Sequence, residues 1–154
     1  MKIATGLVFA FVAIRLGAFD LLLDPIGWCL CLIGVSDLRP ASKAGWLALG
    51  MAVLSALALI DAEPMDGSPA AGALYTAGSY LTVWAVVDVV VGHVRRAGDS
   101  STAALLDVLR WAVVGPGAIA VLSGLGYARL GEVALIVSFG ALAVLIVVLW
   151  RLRA

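Results

Sequence analysis

Apolar residues occur in long runs along this chain, and short polar stretches separate one run from the next. The runs cover residues 3–18, 25–38, 44–60, 70–94, 103–128 and 133–150. Most of them approach the length of about 20 apolar residues that an α-helix needs to cross a bilayer. The pattern predicts an all-α, polytopic membrane protein of about six transmembrane helices, folded as a single domain over residues 1–154.

The composition favours the same interpretation. Of the 154 residues, 64% are hydrophobic and 13% are charged, whereas a soluble domain carries about 25% charged residues. The mean hydropathy is +1.13, and a small soluble domain has too much surface to cover with so few polar side chains. We therefore expect the lipid bilayer to be the principal partner and expect no nucleic-acid binding. A homo-oligomer and other membrane subunits stay open as further partners.

The basic residues predict how the chain is threaded. If six helices alternate in direction, nearly all basic side chains fall on one side, and Arg129 lies in a turn on the other. Because cytoplasmic loops carry the excess of Lys and Arg, both termini are predicted to be cytoplasmic, and the acidic loop at 61–69 external. We expect the membrane to be the cytoplasmic membrane of a bacterium. The residues on the cytoplasmic side are Lys2, Arg39, Lys43, Arg95, Arg96, Arg110, Arg151 and Arg153.

The second apolar run follows an Asp24-Pro25 pair that is typical of a helix start. The residue before a proline avoids the helical region, Asp is a good N-cap, and Pro suits the first helical position. A helix over residues 25–38 would be only about 21 Å long, less than a hydrocarbon core of roughly 30 Å. We predict that this helix is short or re-entrant.

Charged residues at membrane depth are candidates for a polar or ion-binding site. The first group is Arg15, Asp20 and Asp24, which come close together if the second helix starts at Pro25. They could form a cation or proton site, or an ion pair and helix cap that only stabilise the hairpin. Asp88, within the fourth run, could line a polar path or could be a hydrogen-bonded packing residue.

The fifth run contains Gly115-Pro116-Gly117, which predicts a break or kink in that helix. In a chain made of two inverted three-helix halves, this break and the short second helix would occupy equivalent positions. Paired irregularities of this kind are typical of transporter binding sites. The halves show no clear residue similarity, and proline kinks are common in membrane helices.

Two rows of residues at fourfold spacing predict helix faces that contact protein rather than lipid. The row on the third helix contains only alanines, and the row on the fourth helix contains most of its polar residues. The rows are Ala44, Ala48, Ala52 and Ala56, and Gly72, Thr76, Tyr80, Trp84, Asp88 and Gly92.

No motif in the chain specifies a reaction, so we expect no enzyme, no cofactor and no metal site. His93 is the single histidine, and it lacks Cys or carboxylate partners at a ligand spacing. Cys29 and Cys31 point about 200° apart on a helix, and both are predicted to be small buried residues.

The stretch from Asp20 to Trp28, followed by an apolar run to Leu38, resembles small bacterial membrane proteins of unassigned function. These carry a DLLPD-x-IGY/W-like hairpin near the N-terminus, followed by several more helices. This chain departs from the pattern in having Leu23 where a proline is usual. The resemblance implies an integral membrane protein with a similar hairpin, and it implies no reaction or ligand.

These observations favour a non-enzymatic multi-pass protein that is a structural or accessory component of the membrane. The alternative is a small transporter or channel with an intramembrane carboxylate site for protons or cations, formed by Arg15, Asp20, Asp24 and Asp88.

Overall fold

The computed structural model of the chain describes residues 2–11, 20–39, 42–60, 69–123 and 128–152. Within these ranges the regular structure is entirely α-helical, which confirms the predicted fold class at this level. In chain order the helices are α1 (Lys2–Phe11), α2 (Asp20–Leu38), α3 (Lys43–Ile60), α4 (Pro69–Arg96), α5 (Ser100–Ser123) and α6 (Ala128–Arg151). The acidic segment at 61–68 lies outside the described residues.

Three of these helices are long and apolar enough to cross a membrane. The candidate spans Gly72–Arg96, Ser100–Ile119 and Glu132–Arg151 contain 25, 20 and 20 residues. They are therefore about 30 to 37 Å long, which matches a hydrocarbon core of roughly 30 Å. The apolar stretches Lys2–Phe11 and Lys43–Leu57 are shorter. The described part of the chain thus has three candidate spans, and six crossings stay a prediction.

The predicted start of the second helix is wrong. α2 begins at Asp20, so Asp24 is not its N-cap and Pro25 lies inside the helix. Pro25 is the sixth residue of α2, so its missing amide hydrogen removes the intrahelical hydrogen bond that the Leu21 carbonyl oxygen would otherwise accept. With 19 residues, α2 is about 28 Å long and is not short. Whether it re-enters stays untested.

The later boundaries also differ from the predictions. α5 begins at Ser100, three residues before the apolar run at 103–128, and runs without interruption through Pro116 to Ser123. The helix is therefore not broken at Gly115-Pro116-Gly117, and a kink there stays a prediction. α6 begins at Ala128, so the tight turn predicted at 129–132 is helical instead. Arg and Glu are good helix formers, so these polar residues extend the helix rather than end it.

Each helix packs against the next one along the chain, and α1 also packs against α6, so the helices form a closed ring of neighbours. α4 makes a further contact with α2. It is the most deeply embedded of the candidate spans. Its buried side chains are mostly valines spaced three and four residues apart, at Val83, Val86, Val87, Val90 and Val94.

The two predicted rows of residues have different outcomes. On α3, Ala44, Ala48 and Ala52 are buried, as predicted. On α4, Tyr80 is buried and Asp88 contacts Arg110 on α5, but Gly72 is exposed, so the prediction for that row is wrong at Gly72. The reason is geometric, because four residues turn an α-helix by about 400° and each step along the row drifts by about 40°. A row of six therefore wraps around the helix.

α1 and α2 approach each other so closely that only glycine fits at three positions. A Cβ atom on Gly6 would lie 2.6 Å from the carbonyl oxygen of Gly27, and one on Gly27 would lie 2.5 Å from the amide nitrogen of Ala10. A Cβ atom on Gly34 would lie 2.5 Å from Cγ1 of Ile3. Close approach of this kind maximises dispersion contacts between helices where water does not drive association. We call this contact the glycine interface.

Most of the basic residues lie at one end of the bundle. Lys2, Leu38 and Leu152 line the same cleft, so α1 begins where α2 and α6 end. The Lys2 ammonium group also donates a hydrogen bond of 2.7 Å to Asp37 at the end of α2. We call this the basic end of the bundle. Its described basic residues are Lys2, Arg39, Lys43, Arg95, Arg96 and Arg151.

A tight turn at the basic end joins α4 to α5. Gly98 adopts a φ of +90°, which favours glycine. Asp99 then caps α5, because its Oδ1 accepts hydrogen bonds from the Thr102 amide (3.0 Å) and from the Ser101 hydroxyl (2.9 Å). This turn positions α5 antiparallel to α4, with their side chains in contact.

Candidate polar site between α4 and α5

Among the described residues, the contact with the most charged groups is centred on Arg110 of α5. Its side chain is only 10% exposed. One guanidinium nitrogen lies 2.5 Å from Oδ1 of Asp88 on α4, and the other terminal nitrogen donates to Oδ1 of Asp107, one turn earlier on α5. One branch of the guanidinium fork therefore links α5 to α4, and the other pairs with a carboxylate of α5 itself. The planar fork suits carboxylate partners.

Two tryptophans enclose the same guanidinium group. The Cζ atom of Arg110 lies 4.7 Å from the ring centroid of Trp84 and 5.9 Å from that of Trp111. The two indole rings contact each other edge to face, with centroids 6.4 Å apart. Contacts of this distance and type are favourable cation–π interactions. We call Trp84, Asp88, Asp107, Arg110 and Trp111 the Arg110 cluster.

The Arg110 cluster lies within two candidate membrane spans. Asp88 is about 10 Å along α4 from Arg95, and Asp107 is a similar distance along α5 from the turn at Gly98. Both residues belong to the stretches Gly72–Arg96 and Ser100–Ile119. A charged side chain at this depth is costly unless it is paired, and here each carboxylate has the same cationic partner.

The charges in the cluster do not cancel. Two carboxylates share one guanidinium group, which gives a formal charge of −1 when all three are ionised. The side chains of Asp88 and Asp107 are 57% and 39% exposed, respectively, so they remain open on one side. In contrast, Nε of Arg110 and Nε1 of Trp84 are buried, and neither has a hydrogen-bond partner among the described residues. The cation of the cluster is therefore buried, whereas its carboxylates are accessible.

Sequence reasoning identified Asp88 as a site residue but did not identify Arg110 as its partner. The spacing in the sequence does indicate this partner, because Asp88 precedes Gly98 by about as many residues as Arg110 follows it. In an antiparallel helical hairpin, residues equally distant from the turn lie opposite each other. Arg110 was instead assigned to the cytoplasmic side, as one of the residues that orient the chain.

Asp24 belongs to a second, separate polar group. Its Oδ2 accepts a hydrogen bond of 2.9 Å from the Tyr75 hydroxyl on α4, and that hydroxyl lies 2.9 Å from Oγ of Ser55 on α3. The Ser55 hydroxyl also lies 2.8 Å from the Met51 carbonyl oxygen. Thus α2, α3 and α4 are linked by side-chain hydrogen bonds. Tyr75 is about 20 Å along α4 from Asp88, so Asp24 and Asp88 do not form one site.

The predicted group of Arg15, Asp20 and Asp24 is only partly described. Arg15 lies outside the described residues, and for Asp20 the structure describes the helical backbone but not the side chain. The proposed ion pair between Arg15 and the two aspartates therefore stays a prediction. Asp24 itself is partly buried and contacts α4.

Gly117 has a packing role in the segment that was predicted to be a helix break. The ring of Tyr80 lies against it, with Cζ only 2.5 Å from the position a Cβ atom would take. The Tyr80 hydroxyl lies 3.3 Å from Oγ of Ser138 on α6, and Ser138 donates to the carbonyl oxygen of Val113 at 2.8 Å. Hydroxyl groups that reach backbone carbonyls near a proline help a membrane helix to continue past it.

The cysteines and His93 do not form part of either polar group. Cys31 is buried, with Sγ 3.7 Å from the Ile3 carbonyl oxygen, whereas Cys29 is exposed. The prediction that both cysteines are buried is therefore wrong for Cys29, because residues two apart face opposite sides of a helix. Within the described ranges there is no group of three or more His, Cys, Asp or Glu side chains that could hold a metal ion.

Comparison of the chain with protein-family models, with curated proteins and with solved structures finds no match. The resemblance of the stretch from Asp20 to Trp28 to small bacterial membrane proteins accordingly stays a prediction.

Proposed function

We propose that this chain is a non-enzymatic, multi-pass protein of the bacterial cytoplasmic membrane that acts as a structural or accessory component. One observation carries the proposal. Asp88, the carboxylate that a proton or cation carrier would use at this depth, is bound to Arg110, and Trp84 and Trp111 enclose that arginine. A carboxylate that already has a fixed cationic partner is poorly placed to load and release another cation.

The proposed orientation has both termini in the cytoplasm and six crossings. It is supported by the location of the basic residues at one end of the bundle, since cytoplasmic segments carry the excess of Lys and Arg. Reporter fusions after Lys43 and after Asp66 test it, because they should report opposite sides of the membrane. Two fusions that report the same compartment would contradict the six-helix topology.

A second candidate function is a small channel or transporter for protons or cations. It is favoured by the unequal charges of the Arg110 cluster, in which two partly exposed carboxylates share one guanidinium group. The excess negative charge would then attract a proton or a cation to Asp88.

Flux measurements in liposomes distinguish the two functions. The purified protein is reconstituted, and proton and cation flux are measured for the wild type, for Asp88→Asn and for Asp99→Asn. The last variant is a matched control, because Asn also caps helices well and Asp99 lies outside the spans. The accessory role predicts that all three proteins give the flux of empty liposomes.

Two results would overturn this proposal. Wild-type flux that Asp88→Asn abolishes and Asp99→Asn preserves would establish transport through the Arg110 cluster. Flux that both variants retain would also contradict the accessory role, and would place the pathway elsewhere in the bundle.

A further inference from the structure

A cleft opens at the basic end where α1, α2, α4 and α6 meet, and no residue of the Arg110 cluster is among those that line it. Its volume is about 270 Å³, close to the lower end of the range for small-molecule sites. Most of its wall is apolar, formed by Ile3 and Ala4 of α1, Val90 of α4, and Leu149 and Leu152 at the end of α6. The contact between α1 and α6 closes the ring of helices here.

Two opposite charges lie at this cleft. Lys2 and Asp37 both line it, and their side chains form an ion pair of 2.7 Å while remaining about half exposed. Such an exposed pair contributes little to stability, because its charges remain solvated. Both groups therefore stay available to a ligand that carries charges of both signs.

The position of the cleft restricts the class of ligand. Lys2 is the first residue of α1 and Asp37 is near the last residue of α2, so the charged pair lies at the helix ends. In a membrane protein the helix ends lie at the level of the lipid headgroups, and the apolar wall then lies at the level of the upper acyl chains. A phospholipid has the same order of polar and apolar groups.

We infer that this cleft binds a zwitterionic phospholipid of the phosphoethanolamine type. The Lys2 ammonium group would take the headgroup phosphate, the Asp37 carboxylate would take the headgroup ammonium group, and the first part of one acyl chain would fill the apolar cleft. Charge-assisted hydrogen bonds to both ends of the headgroup distinguish it from phosphocholine, whose quaternary nitrogen has no N–H to donate.

Lipid binding to the full chain in detergent tests the inference. Native mass spectrometry counts the lipids retained from phosphatidylethanolamine and from phosphatidylcholine with identical acyl chains. The wild type should bind phosphatidylethanolamine about tenfold more tightly than phosphatidylcholine, because phosphatidylcholine cannot donate a charge-assisted hydrogen bond to Asp37. Equal retention of the two lipids would overturn the inference, and this comparison requires no variant.

Two substitutions locate the binding. Lys2→Gln should weaken phosphatidylethanolamine binding about tenfold, and Asp37→Asn should bring it to the level of phosphatidylcholine. Lys43→Gln is the matched control, because Lys43 is exposed at the same end and is not among the residues that line the cleft. A loss of binding in the control as large as in Lys2→Gln would overturn the assignment to this cleft.

Two further measurements distinguish binding of the intact lipid from binding of its headgroup alone. Leu149→Trp places a larger side chain in the apolar part of the cleft, and should reduce the amount of lipid retained while the Lys2–Asp37 pair is unchanged. Free phosphoethanolamine should compete only weakly, because it lacks the acyl chain that the cleft would bury. Competition as strong as that of the intact lipid would show a site for a soluble headgroup compound and would overturn the lipid assignment.

Discussion

The α1–α2 contact and the α4–α5 contact join neighbouring helices by opposite means. At the glycine interface the backbones themselves touch, because Gly6, Gly27 and Gly34 have no side chains to separate them. In the Arg110 cluster the contact is made by long side chains, since a guanidinium group reaches from α5 to Asp88 on α4. The first contact depends on the absence of atoms, and the second depends on a particular cation.

The difference shows what can hold helices together when water does not drive them to associate. In lipid, apolar side chains gain little by leaving their surroundings, so helix contacts rely on close packing or on polar pairing. A close-packed contact tolerates no added atom but contains no charge to lose. A charged contact tolerates changes in the size of the side chains around it. The loss of its one cation, however, leaves two negatively charged carboxylates without a positive partner.

Arg110→Ala should produce the largest effect. Removal of one partner from a buried ion pair costs about 3 to 5 kcal/mol, and we expect the lower figure here because Asp88 and Asp107 are partly exposed. Thermal or denaturant unfolding in detergent measures it. Arg95→Ala is the control, because Arg95 is exposed at the basic end. If both variants unfolded alike, the cluster would add nothing to stability.

Gly27→Ala should have the next largest effect. The added methyl group would lie 2.5 Å from the Ala10 amide nitrogen and 2.7 Å from the Gly6 carbonyl oxygen, so α1 must move away. We expect a loss of about 2 kcal/mol, within the range for overpacked sites.

Gly50→Ala on α3 is the matched control for this substitution, since nothing lies within 4 Å of its new methyl group. Alanine is the better helix former by about 1 kcal/mol, so this variant should be as stable as the wild type or more stable. A similar loss of stability in both variants would remove the distinction between the glycine interface and an open helix face.

The sequence predicted the helices well because each is encoded by a continuous apolar run. It predicted their ends less well, because a helix end depends on which polar group is available to cap it. The Asp24-Pro25 pair has a favourable sequence for a helix start, yet α2 begins at Asp20 and Asp24 accepts a hydrogen bond from Tyr75, a residue 51 positions away. No local pattern reports a partner at that distance.

The polar site was predicted in part for a similar reason. Membrane depth alone singled out Asp88, since few carboxylates occur in such runs. The pairing with Arg110 required the geometry of the hairpin, and the two enclosing tryptophans required the rotation of each helix about its axis. Gly27 and Gly34 are seven residues apart and share one face of α2. The glycine interface was still not predicted, because the position of Gly6 opposite that face depends on how α1 crosses α2.

The smallest effect is expected at Asp99, which caps α5 at the turn that brings Arg110 opposite Asp88. Hydrogen bonds from Thr102, and then from Ser101, hold the pKa of Asp99 below its ordinary value of 3.8. Because the folded state favours the carboxylate form, the stabilisation is fully present above pH 4 and is lost as the pH falls through the lowered pKa. Asp99→Ala should therefore lower the Tm slightly at pH 7.

The pH dependence of this difference is the test. The Tm values of the wild type and of Asp99→Ala should converge as the pH is lowered from 5 towards 3, whereas Asp99→Asn should keep a cap that does not titrate. A difference that stays constant over this range would mean that the carboxylate charge contributes nothing to the cap. The α4–α5 hairpin would then depend on the Arg110 cluster for its electrostatic stabilisation, and its contrast with the uncharged glycine interface would rest on that cluster.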